Sequence, residues 1–268
     1  MRHFRFGKNW AKYANKINES DIQQAAKDLV RILGTDNLSG KCVVDIGSGS
    51  GIHSAAFYQM KPLTVDSIDY DWDSVRTTHD LLVNMGYPGQ KSVFQADILD
   101  LETFHEKKFD VVYAWGVLHH TGNLDLALKN SASLVNKNGI LAVALYRKTP
   151  FCRFWKIEKR IYSRSPYLVQ KIIFFIYISL FFFYYSVIRK RNFFSYVKNY
   201  TNNRGMNFFI DVHDWLGGYP YESISPLELR SKMKIFGFHE YRSFIHPAGI
   251  GVFGSGCDEF VFKKSDQC

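Results

Sequence analysis

A glycine turn next to an acidic residue is the part of this sequence that points most directly to chemistry. The segment VVDIGSGSG (43–51) is typical of a buried strand that runs into a glycine-rich turn, and a helical pattern follows it. Such a turn lets backbone N–H groups approach a ligand at the N-terminus of a helix. The G-x-G-x-x-G dinucleotide pattern is not met, because residue 52 is Ile. Asp45 would oppose a pyrophosphate, whereas it suits the ammonium group of an amino acid.

Two more aspartates stand where the next predicted strands end. Asp69 closes the apolar run LTVDSID (63–69), and Asp97 follows KSVFQA (91–96). Loops at the carboxyl ends of parallel strands line the ligand crevice of an open α/β sheet. A glycine turn alone is a weak signal, but these acids at the strand ends make a ligand site a specific prediction.

The pattern around these residues predicts a doubly wound α/β fold. From residue 41, short apolar runs alternate with helical patterns, as in parallel strands joined by right-handed crossovers. Ser20 and Gln23 fit a capping box for a helix that ends before Gly34. The alternation stops after Tyr146 and resumes with a helix that has Pro226 in its first turn and with two strands. The predicted strands are 42–47, 63–69, 91–96, 109–115, 139–146, FHEYRSFI and EFVFKK, and the predicted helices include 51–60, 73–85 and 124–135.

The interrupting segment differs from the remainder in charge. Residues 147–204 contain thirteen Lys or Arg and one acid, a net +12, so the remainder of a chain of net charge +9 carries −3. A basic segment suits an anionic acceptor, an anionic membrane surface or RNA, and it also suits a solvated face. No RNA-binding module is recognisable, and the basic residues are interleaved with Phe and Ile.

An uncharged run of seventeen residues, 172–188, lies inside this basic segment. As a helix it would be roughly 25 Å long, short of a hydrocarbon core of about 30 Å. A single crossing would also separate residues 189–268 from the sheet, so a membrane span is not expected. We expect a helix that is buried against the lid or lies in the membrane surface, with peripheral membrane contact through 165–200.

A cluster of polar and aromatic residues follows in RGMNFFIDVHDWLGGYPYES (204–223). Its glycine pair and proline favour an ordered loop rather than a helix, and this loop is predicted to form a substrate lid. If the reacting group of the substrate is a hydroxyl, a base within hydrogen-bond reach assists by taking its proton. The candidate bases are His120 and His213, with Asp211 as orienter or alternative base. The candidate substrate residues are Arg204, Trp215, Tyr219, Tyr221 and Glu222.

On these motifs the chain resembles the class I S-adenosylmethionine-dependent methyltransferases, over about 41–146 and 226–264. The resemblance implies a mostly parallel, seven-stranded Rossmann-like sheet with an antiparallel last strand, and a helical insertion or lid after strand 5. It implies that the glycine turn holds the methionyl part of S-adenosylmethionine, that Asp69 holds the ribose, and that Asp97 and Ile98 hold the adenine. The implied cofactor residues are Asp45, Gly47, Ser48, Gly49, Gly51, Asp69, Tyr70, Asp97, Ile98, Trp115 and Gly116.

A narrower resemblance is carried by FRFGKNW, GVLHHTGN, the 204–223 segment and GSGCDEFVF. Together they are similar to a subgroup of bacterial methyltransferases that is often described as quinone-type. The expected domains are an N-terminal helical cap (1–40), a cofactor-binding domain (41–146 and 226–268) and the insertion (147–225).

Together with these resemblances, the sequence predicts an enzyme that methylates a small molecule or a cell-envelope or lipid-linked precursor, such as a sugar or quinone. The expected acceptor atom is an oxygen. The alternatives are a tRNA methyltransferase and a non-catalytic cofactor-binding scaffold. The four cysteines show no metal-ligand spacing, and no metal is predicted. We expect a cytoplasmic location, peripheral to the inner face of the membrane, because the first residues lack a secretory signal. DNA is not an expected partner.

Overall fold

One seven-stranded sheet organises the protein. The computed structural model describes residues 7, 10, 14, 17–87, 92–104, 106–204, 207–247 and 249–265, with the backbone alone for 201–204. The strands are β1 Cys42–Ile46, β2 Thr64–Asp69, β3 Val93–Gln95, β4 Phe109–Trp115, β5 Val135–Tyr146, β6 Phe238–Phe244 and β7 Cys257–Lys264. Their order is β3-β2-β1-β4-β5-β7-β6. Strands β1 to β5 pair in parallel, and β7 is antiparallel to both of its neighbours. The expected doubly wound, mostly parallel sheet is therefore confirmed.

Helices connect these strands and fill the segment between β5 and β6. They are α1 Glu19–Leu33, α2 Ile52–Gln59, α3 Trp72–Asn84, α4 Leu124–Ser133, α5 Cys152–Arg164, α6 Tyr167–Phe183, α7 Phe193–Arg204, α8 Phe208–Gly217 and α9 Pro226–Ile235. One π-helical turn, Tyr184–Ile188, continues α6.

The core lies on both faces of the sheet, because its strands are apolar at successive positions. Val44 and Val112 belong to the hydrophobic cluster that also contains Leu128 of α4 and Leu229 of α9. Their neighbours along the strands face the other way and pack with Leu29 of α1 and Phe57 of α2. A strand that is buried on both faces reads as a continuous apolar run, as the sequence pattern indicates.

Helix α1 begins at a different cap from the expected one. The capping box is formed by Asn18 and Asp21, not by Ser20 and Gln23. The Asn18 Oδ1 accepts from the Asp21 N–H at 3.2 Å, and the Asn18 N–H donates to Asp21 Oδ2 at 3.0 Å. The pair two residues upstream is favoured because Glu19 and Ser20 already have helical backbone. The helix ends at Gly34, which adopts a left-handed conformation.

The chain forms two compact units. The insertion unit contains Thr149–Tyr221 and also the loop Ile250–Ser255, which comes between β6 and β7. The sheet unit contains the described residues up to Lys148, Glu222–Gly249 and 256–265. Helix α1 packs with α2 in the hydrophobic core of the sheet unit.

Helix α8 corrects the prediction of a loop over 204–223. Asn207 caps it by accepting from the Phe209 N–H at 3.0 Å. Phe208, Val212 and Leu216 are buried at a spacing of four residues, which is one face of a helix. Gly217 and Gly218 follow this apolar face, so they end the helix instead of preventing it.

Helix α6 is the most exposed apolar element of the insertion unit. The segment 172–188 is helical as predicted, but the helix begins earlier, at Tyr167, and so includes Lys171. No residue of α6 or of the following π turn is buried. The expected burial against a lid is therefore wrong for this helix. By length and composition alone, the 22 residues Tyr167–Ile188 would be long enough to cross a bilayer.

Candidate active site

The turn after β1 is built from glycines that no other residue can replace without strain. Gly47, Gly49 and Gly51 all have positive φ, at 75°, 56° and 81°. A Cβ on Gly47 would lie 2.3 Å from Cγ2 of Val117, in the loop after β4. The Gly47 and Ser48 N–H groups both donate to the carbonyl oxygen of Ile68, at 2.7 and 2.9 Å. The loops after β1, β2 and β4 are thereby held close together.

Asp45 is a buried carboxylate immediately below this turn. It is 2% exposed, and its Oδ2 accepts from the Ser54 hydroxyl at 2.6 Å. The Ser54 oxygen in turn accepts from the Ser67 hydroxyl at 2.9 Å. Burial, with a smaller effect from the negative charge of Asp69, raises the pKa of Asp45 to about 7, although the hydrogen bond from Ser54 lowers it. A carboxylate in this position favours a ligand that brings a positive charge.

Asp69 braces the turn from the end of β2. Its Oδ2 accepts from the Gly49 N–H at 3.0 Å, and its Oδ1 accepts from the Asp71 N–H at 2.8 Å. Burial raises the pKa of Asp69 to about 6, although these two backbone hydrogen bonds lower it. Each oxygen keeps a further lone pair for a hydroxyl donor from a ligand.

The loop after β3 contains Asp97 at the same edge of the sheet. Asp97 is partly buried and accepts from the Leu99 N–H at 2.9 Å. Tyr70, after β2, is 56% exposed, and its carbonyl oxygen accepts from the Gln95 side chain at 2.8 Å. Ile98 is 4% exposed and packs in the hydrophobic core, and the Asn130 side chain of α4 donates to its carbonyl oxygen at 2.8 Å. Its place beside a ligand ring stays a prediction.

Trp115 ends β4 and lies over the side of the sheet that α1 and α2 cover. Its indole N–H donates to Glu259 at 2.9 Å, and its ring centroid is 5.8 Å from that of His53. Glu259 also accepts from Arg31 of α1 at 2.9 Å. Burial lowers the pKa of His53 to about 4, so this side chain is neutral at pH 7. Gly116 follows with a φ of 76° and donates its N–H to Ala144.

The two adjacent histidines after β4 have different environments. His119 is 1% exposed, stacks on Tyr146 at 3.8 Å between ring centroids, and accepts from the Tyr146 N–H at 3.3 Å. His120 is partly exposed, and its ring meets Tyr146 edge-on at 5.3 Å. The His120 N–H donates to the carbonyl oxygen of Val117, the residue that contacts Gly47. His120 therefore lies in the loop that adjoins the glycine turn.

The polar candidates of the insertion unit are engaged with its own tyrosines. The Tyr162 hydroxyl and Nδ1 of His213 are 2.6 Å apart, and the Tyr200 hydroxyl donates to Asp211. These contacts hold α5, α7 and α8 to one another. They give both residues a structural part in the insertion unit, and their assignment as bases stays a prediction.

Two of the aromatic candidates of the same unit, Trp215 and Tyr221, lie beside a buried lysine. Lys159 is completely buried, and its Nζ lies 3.5 Å from the ring centroid of Trp215. Tyr221 is 2% exposed, and its hydroxyl donates to Ser255 at 3.1 Å. Tyr219 is also buried, and the side chain of Arg204 lies outside the described part of the chain. The substrate contacts proposed for these residues are therefore still predictions.

Glu222 belongs to the sheet unit and caps a helix there. Its Oε2 accepts from the N–H of Leu124, the first residue of α4, at 2.9 Å. A carboxylate at a helix N-terminus satisfies an otherwise unpaired donor and interacts well with the helix dipole. Sequence reasoning assigned Glu222 to substrate binding and gave no sign of this capping role.

Sequence reasoning also missed the serines that support Asp45. Ser67 is in register with Asp45 in the parallel pair of β1 and β2, and Ser54 follows on α2. The available signal for Ser67 was a serine between Asp66 and Ile68 in a strand that is buried at 65–68. Ser54 had no comparable signal, because a serine near the start of a helix is ordinary.

Comparison with known proteins shows the family of this chain. A family model described as a methyltransferase domain matches residues 17–203, which is more than half of the chain.

Two curated relatives are methyltransferases of different kinds. The tRNA U34 carboxymethyltransferase of Nautilia profundicola is 26% identical over 141 residues, covering 49% of this chain and 44% of that protein. The ribosomal protein L11 methyltransferase of Macrococcus caseolyticus is 30% identical over 102 residues, covering 38% and 31%. The chain thus spans less than half the length of the curated relatives it matches.

Solved structures show the same fold. The magnesium protoporphyrin IX methyltransferase of Synechocystis PCC 6803 with bound SAH superposes with a TM-score of 0.52 at 16% identity, covering 93% of this chain and 89% of that one. An O-methyltransferase family protein from Burkholderia thailandensis superposes with a TM-score of 0.54 at 14% identity, covering 90% and 55%. With its glycine turn, its strand-end aspartates and its sheet order, the chain belongs to the class I S-adenosylmethionine-dependent methyltransferases.

Proposed function

We propose that this protein transfers a methyl group from S-adenosylmethionine to an oxygen of a small molecule, a cell-envelope or lipid-linked precursor. The observation that carries the proposal is the pair of carboxylates, Asp45 and Asp69, at neighbouring strand ends beneath the glycine turn. Burial raises the pKa of both, so the site gains most from a ligand that is positively charged. S-adenosylmethionine has a cationic sulfonium and an ammonium group, and the residues present fit it.

The chain's own residues would bind and orient the reactants. Asp45 would accept from the ammonium group, Asp69 from the ribose hydroxyls and Asp97 from the adenine amino group. When bound, the cofactor would supply an electrophilic methyl group, which would pass to an aligned nucleophile as the carbon–sulfur bond breaks and the neutral thioether leaves. The protein's contribution is alignment and the exclusion of water. Tyr70, Trp115 and Gly116 would complete the cofactor pocket.

His120 is the base that we propose for the hydroxyl proton of the acceptor. It is partly exposed in the loop that adjoins the glycine turn, whereas His119 is buried against Tyr146. As the new C–O bond forms, the acceptor proton passes to the imidazole and then to solvent. His213 and Asp211 remain alternative bases, and the substrate-lid role of the insertion remains a prediction.

The second candidate is a tRNA methyltransferase, and one observation favours it. The curated relative from Nautilia profundicola acts on tRNA by its name, and the insertion is basic. We favour a small acceptor because exposed apolar side chains accompany the basic ones on the insertion unit. The location that we propose is the cytoplasm.

Asp69→Asn is expected to weaken cofactor binding about 10- to 100-fold. Both Asp69 oxygens accept from backbone N–H groups, so an amide nitrogen would place a donor against a donor and disturb the turn. A hydrogen bond to a charged group contributes about 1.5–3 kcal/mol. Titration calorimetry with S-adenosylmethionine measures the change.

Asp100→Asn is the matched control, because Asp100 makes the same kind of turn with the Glu102 N–H but is exposed. An equal loss in both variants would contradict the role given to Asp69.

The acceptor is identified by incubating the protein with methyl-labelled cofactor and fractions of soluble metabolites, lipids and RNA. Label in the metabolite or lipid fraction, absent with Asp69→Asn, supports the proposal. Label in RNA alone would indicate the tRNA methyltransferase instead. No transfer of label to any fraction would indicate a non-catalytic cofactor-binding scaffold.

A further inference from the structure

The exposed face of the insertion unit combines apolar and basic side chains. On α6 and its π turn, a row of large apolar side chains is more than half exposed: Leu168 70%, Ile172 52%, Phe175 63%, Ile176 55%, Leu180 57%, Phe183 56%, Val187 52% and Ile188 61%. Soluble monomers rarely expose apolar patches larger than a few hundred Å² without an interaction role. We call this row the α6 face.

The opposite side of α6 already has its packing partners. Phe181 contacts the rings of Phe193, Phe208 and Phe253 at 5.4–6.2 Å between centroids, and the Tyr177 hydroxyl donates to Phe253. The α6 face therefore points away from the core of its own unit. Its exposure is a property of the folded unit, because the helix is fastened along its other side.

The exposed charges that the structure describes in 149–221 all have one sign. Of the eleven Lys or Arg in 149–221, nine are exposed: Arg153, Lys156, Arg160, Arg164, Lys171, Arg189, Lys190, Arg191 and Lys198. The segment contains three acids, and none of them is exposed: Glu158 and Asp211 are partly buried, and Asp214 is buried. All the exposed charged side chains that the structure describes in this segment are thus cationic.

The basic residues are placed at the two ends of the apolar helix α6 and along one side of α5. Lys171 lies near the start of α6, and Arg189, Lys190 and Arg191 follow its end. On α5, the exposed Phe154, Ile157 and Ile161 form a stripe beside a basic stripe. The stripes run parallel because both sets recur at intervals of three and four residues. The basic stripe consists of Arg153, Lys156, Arg160 and Arg164.

We infer that the α6 face binds the surface of an anionic phospholipid bilayer. Apolar side chains enter the boundary between headgroups and acyl chains while flanking Lys and Arg meet the lipid phosphates, as in interfacial helices. A second copy of the chain is disfavoured as the occupant, since a two-fold interface would bring the same cationic surface against itself. A single crossing is disfavoured because β5, before α6, pairs with β7, after it, over seven residue pairs.

This inference rests on the proposed function and deepens it, because a lipid-linked acceptor would lie in the bilayer that the α6 face binds. The test is flotation of the purified full chain with vesicles, in the absence of cofactor and acceptor. We expect binding to vesicles of phosphatidylcholine mixed with phosphatidylglycerol, little binding to phosphatidylcholine alone, and a fall in binding as salt is raised.

The test variant is Ile172→Glu/Ile176→Glu, which should bind anionic vesicles at least tenfold more weakly. The matched control is Leu227→Glu/Ile235→Glu on α9, where the replaced side chains are 75% and 81% exposed and the change in charge is the same. The control should bind as the unaltered protein does. Both variants should keep their affinity for S-adenosylmethionine, so a failure of lipid binding is distinguishable from a failure of the proposed activity.

Several results would overturn the inference. They are equal binding to neutral and anionic vesicles, no binding to either, and an equal loss in test and control variants. Resistance of the native membrane-bound protein to carbonate extraction would indicate a span instead. Binding to native membranes but not to protein-free vesicles would indicate a protein partner. Conversion of a lipid-free dimer to a monomer by the test variant would assign the face to a second copy.

Discussion

Asp258→Ala is expected to lower the free energy of unfolding by about 3–5 kcal/mol, the typical effect of removing one partner of a buried ion pair. Arg147 Nε donates to Asp258 Oδ2 at 2.7 Å, and a second guanidinium nitrogen donates to the other carboxylate oxygen. The side chains are 9% and 3% exposed. Without the carboxylate, the positive charge of Arg147 is left buried and uncompensated.

The position of this pair adds to the effect. Arg147 follows β5, Asp258 lies in β7, and the His246 N–H donates to the same carboxylate at 3.1 Å. The Arg147 guanidinium also donates to the carbonyl oxygen of Pro247 at 2.8 Å. The pair therefore joins the antiparallel β7 to the end of β5 and to the chain that leaves β6.

Urea denaturation of the purified variants measures the loss. Glu240→Ala is the control, because it breaks the Arg230–Glu240 pair, which also has two hydrogen bonds but is partly exposed. Its effect should be about 1 kcal/mol or less. The double variant Arg147→Met/Asp258→Leu should recover most of the loss, because no charge remains buried. Equal losses in Asp258→Ala and the control would refute the buried-charge explanation.

Asp45→Asn is expected to act in opposite directions on stability and on cofactor binding. Burial raises the pKa of Asp45 from 3.8 to about 7, so the folded protein prefers the protonated form. The resulting stabilisation is fully present below pH 4 and is lost as the pH rises through about 7. One pKa unit corresponds to about 1.4 kcal/mol, so the loss reaches about 4 kcal/mol at most.

Asparagine has no charge to bury, and its carbonyl oxygen can still accept from the Ser54 hydroxyl. Without cofactor, the variant should therefore exceed the unaltered protein in stability at pH 8 and match it near pH 4. Its affinity for S-adenosylmethionine at pH 8 should fall at least tenfold, because the ammonium group loses an anionic partner. Urea denaturation and titration calorimetry across pH 4–8 measure the two effects.

The unaltered protein should bind the cofactor more weakly as the pH falls below about 7, since Asp45 becomes protonated. In Asp45→Asn, this decrease in affinity around pH 7 should be absent, and the decrease caused by protonation of Asp69, whose pKa is about 6, should remain. Asp100→Asn serves as the control at each pH. Identical pH courses of stability for Asp45→Asn and the unaltered protein would show that the Asp45 charge is not the cause.

Short-range patterns predicted the parts of the site that depend on one strand and the turn after it. Apart from Asp45, β1 is apolar because it is buried on both faces, and the glycines that follow it are needed where the chain turns with positive φ. Asp69 lies at the end of its strand for the same local reason. The observed cap of α1 lies two residues before the predicted one, because Asn18 and Ser20 are both good caps and the reciprocal hydrogen bonds form between Asn18 and Asp21.

Longer-range contacts decided what the patterns left open. The glycine pair at the end of α8 has the composition of a loop, yet burial of Phe208, Val212 and Leu216 in the insertion unit makes 208–217 a helix. Helix α6 is exposed on one side because it packs on the other side alone. The run 172–188 is apolar throughout, so its sequence does not indicate which side packs.

By itself, the sequence determined the alternation of strands and helices, the glycine turn and the aspartates at the strand ends, because each is encoded within a few neighbouring residues. Only the tertiary structure decided which polar groups meet. Strand register brings Ser67 beside Asp45, and the antiparallel placement of β7 brings Asp258 to Arg147 across 111 positions of sequence. The physical reason is that a buried charge or hydroxyl is stabilised by whichever partner the fold brings within hydrogen-bond distance, and no local pattern specifies that partner.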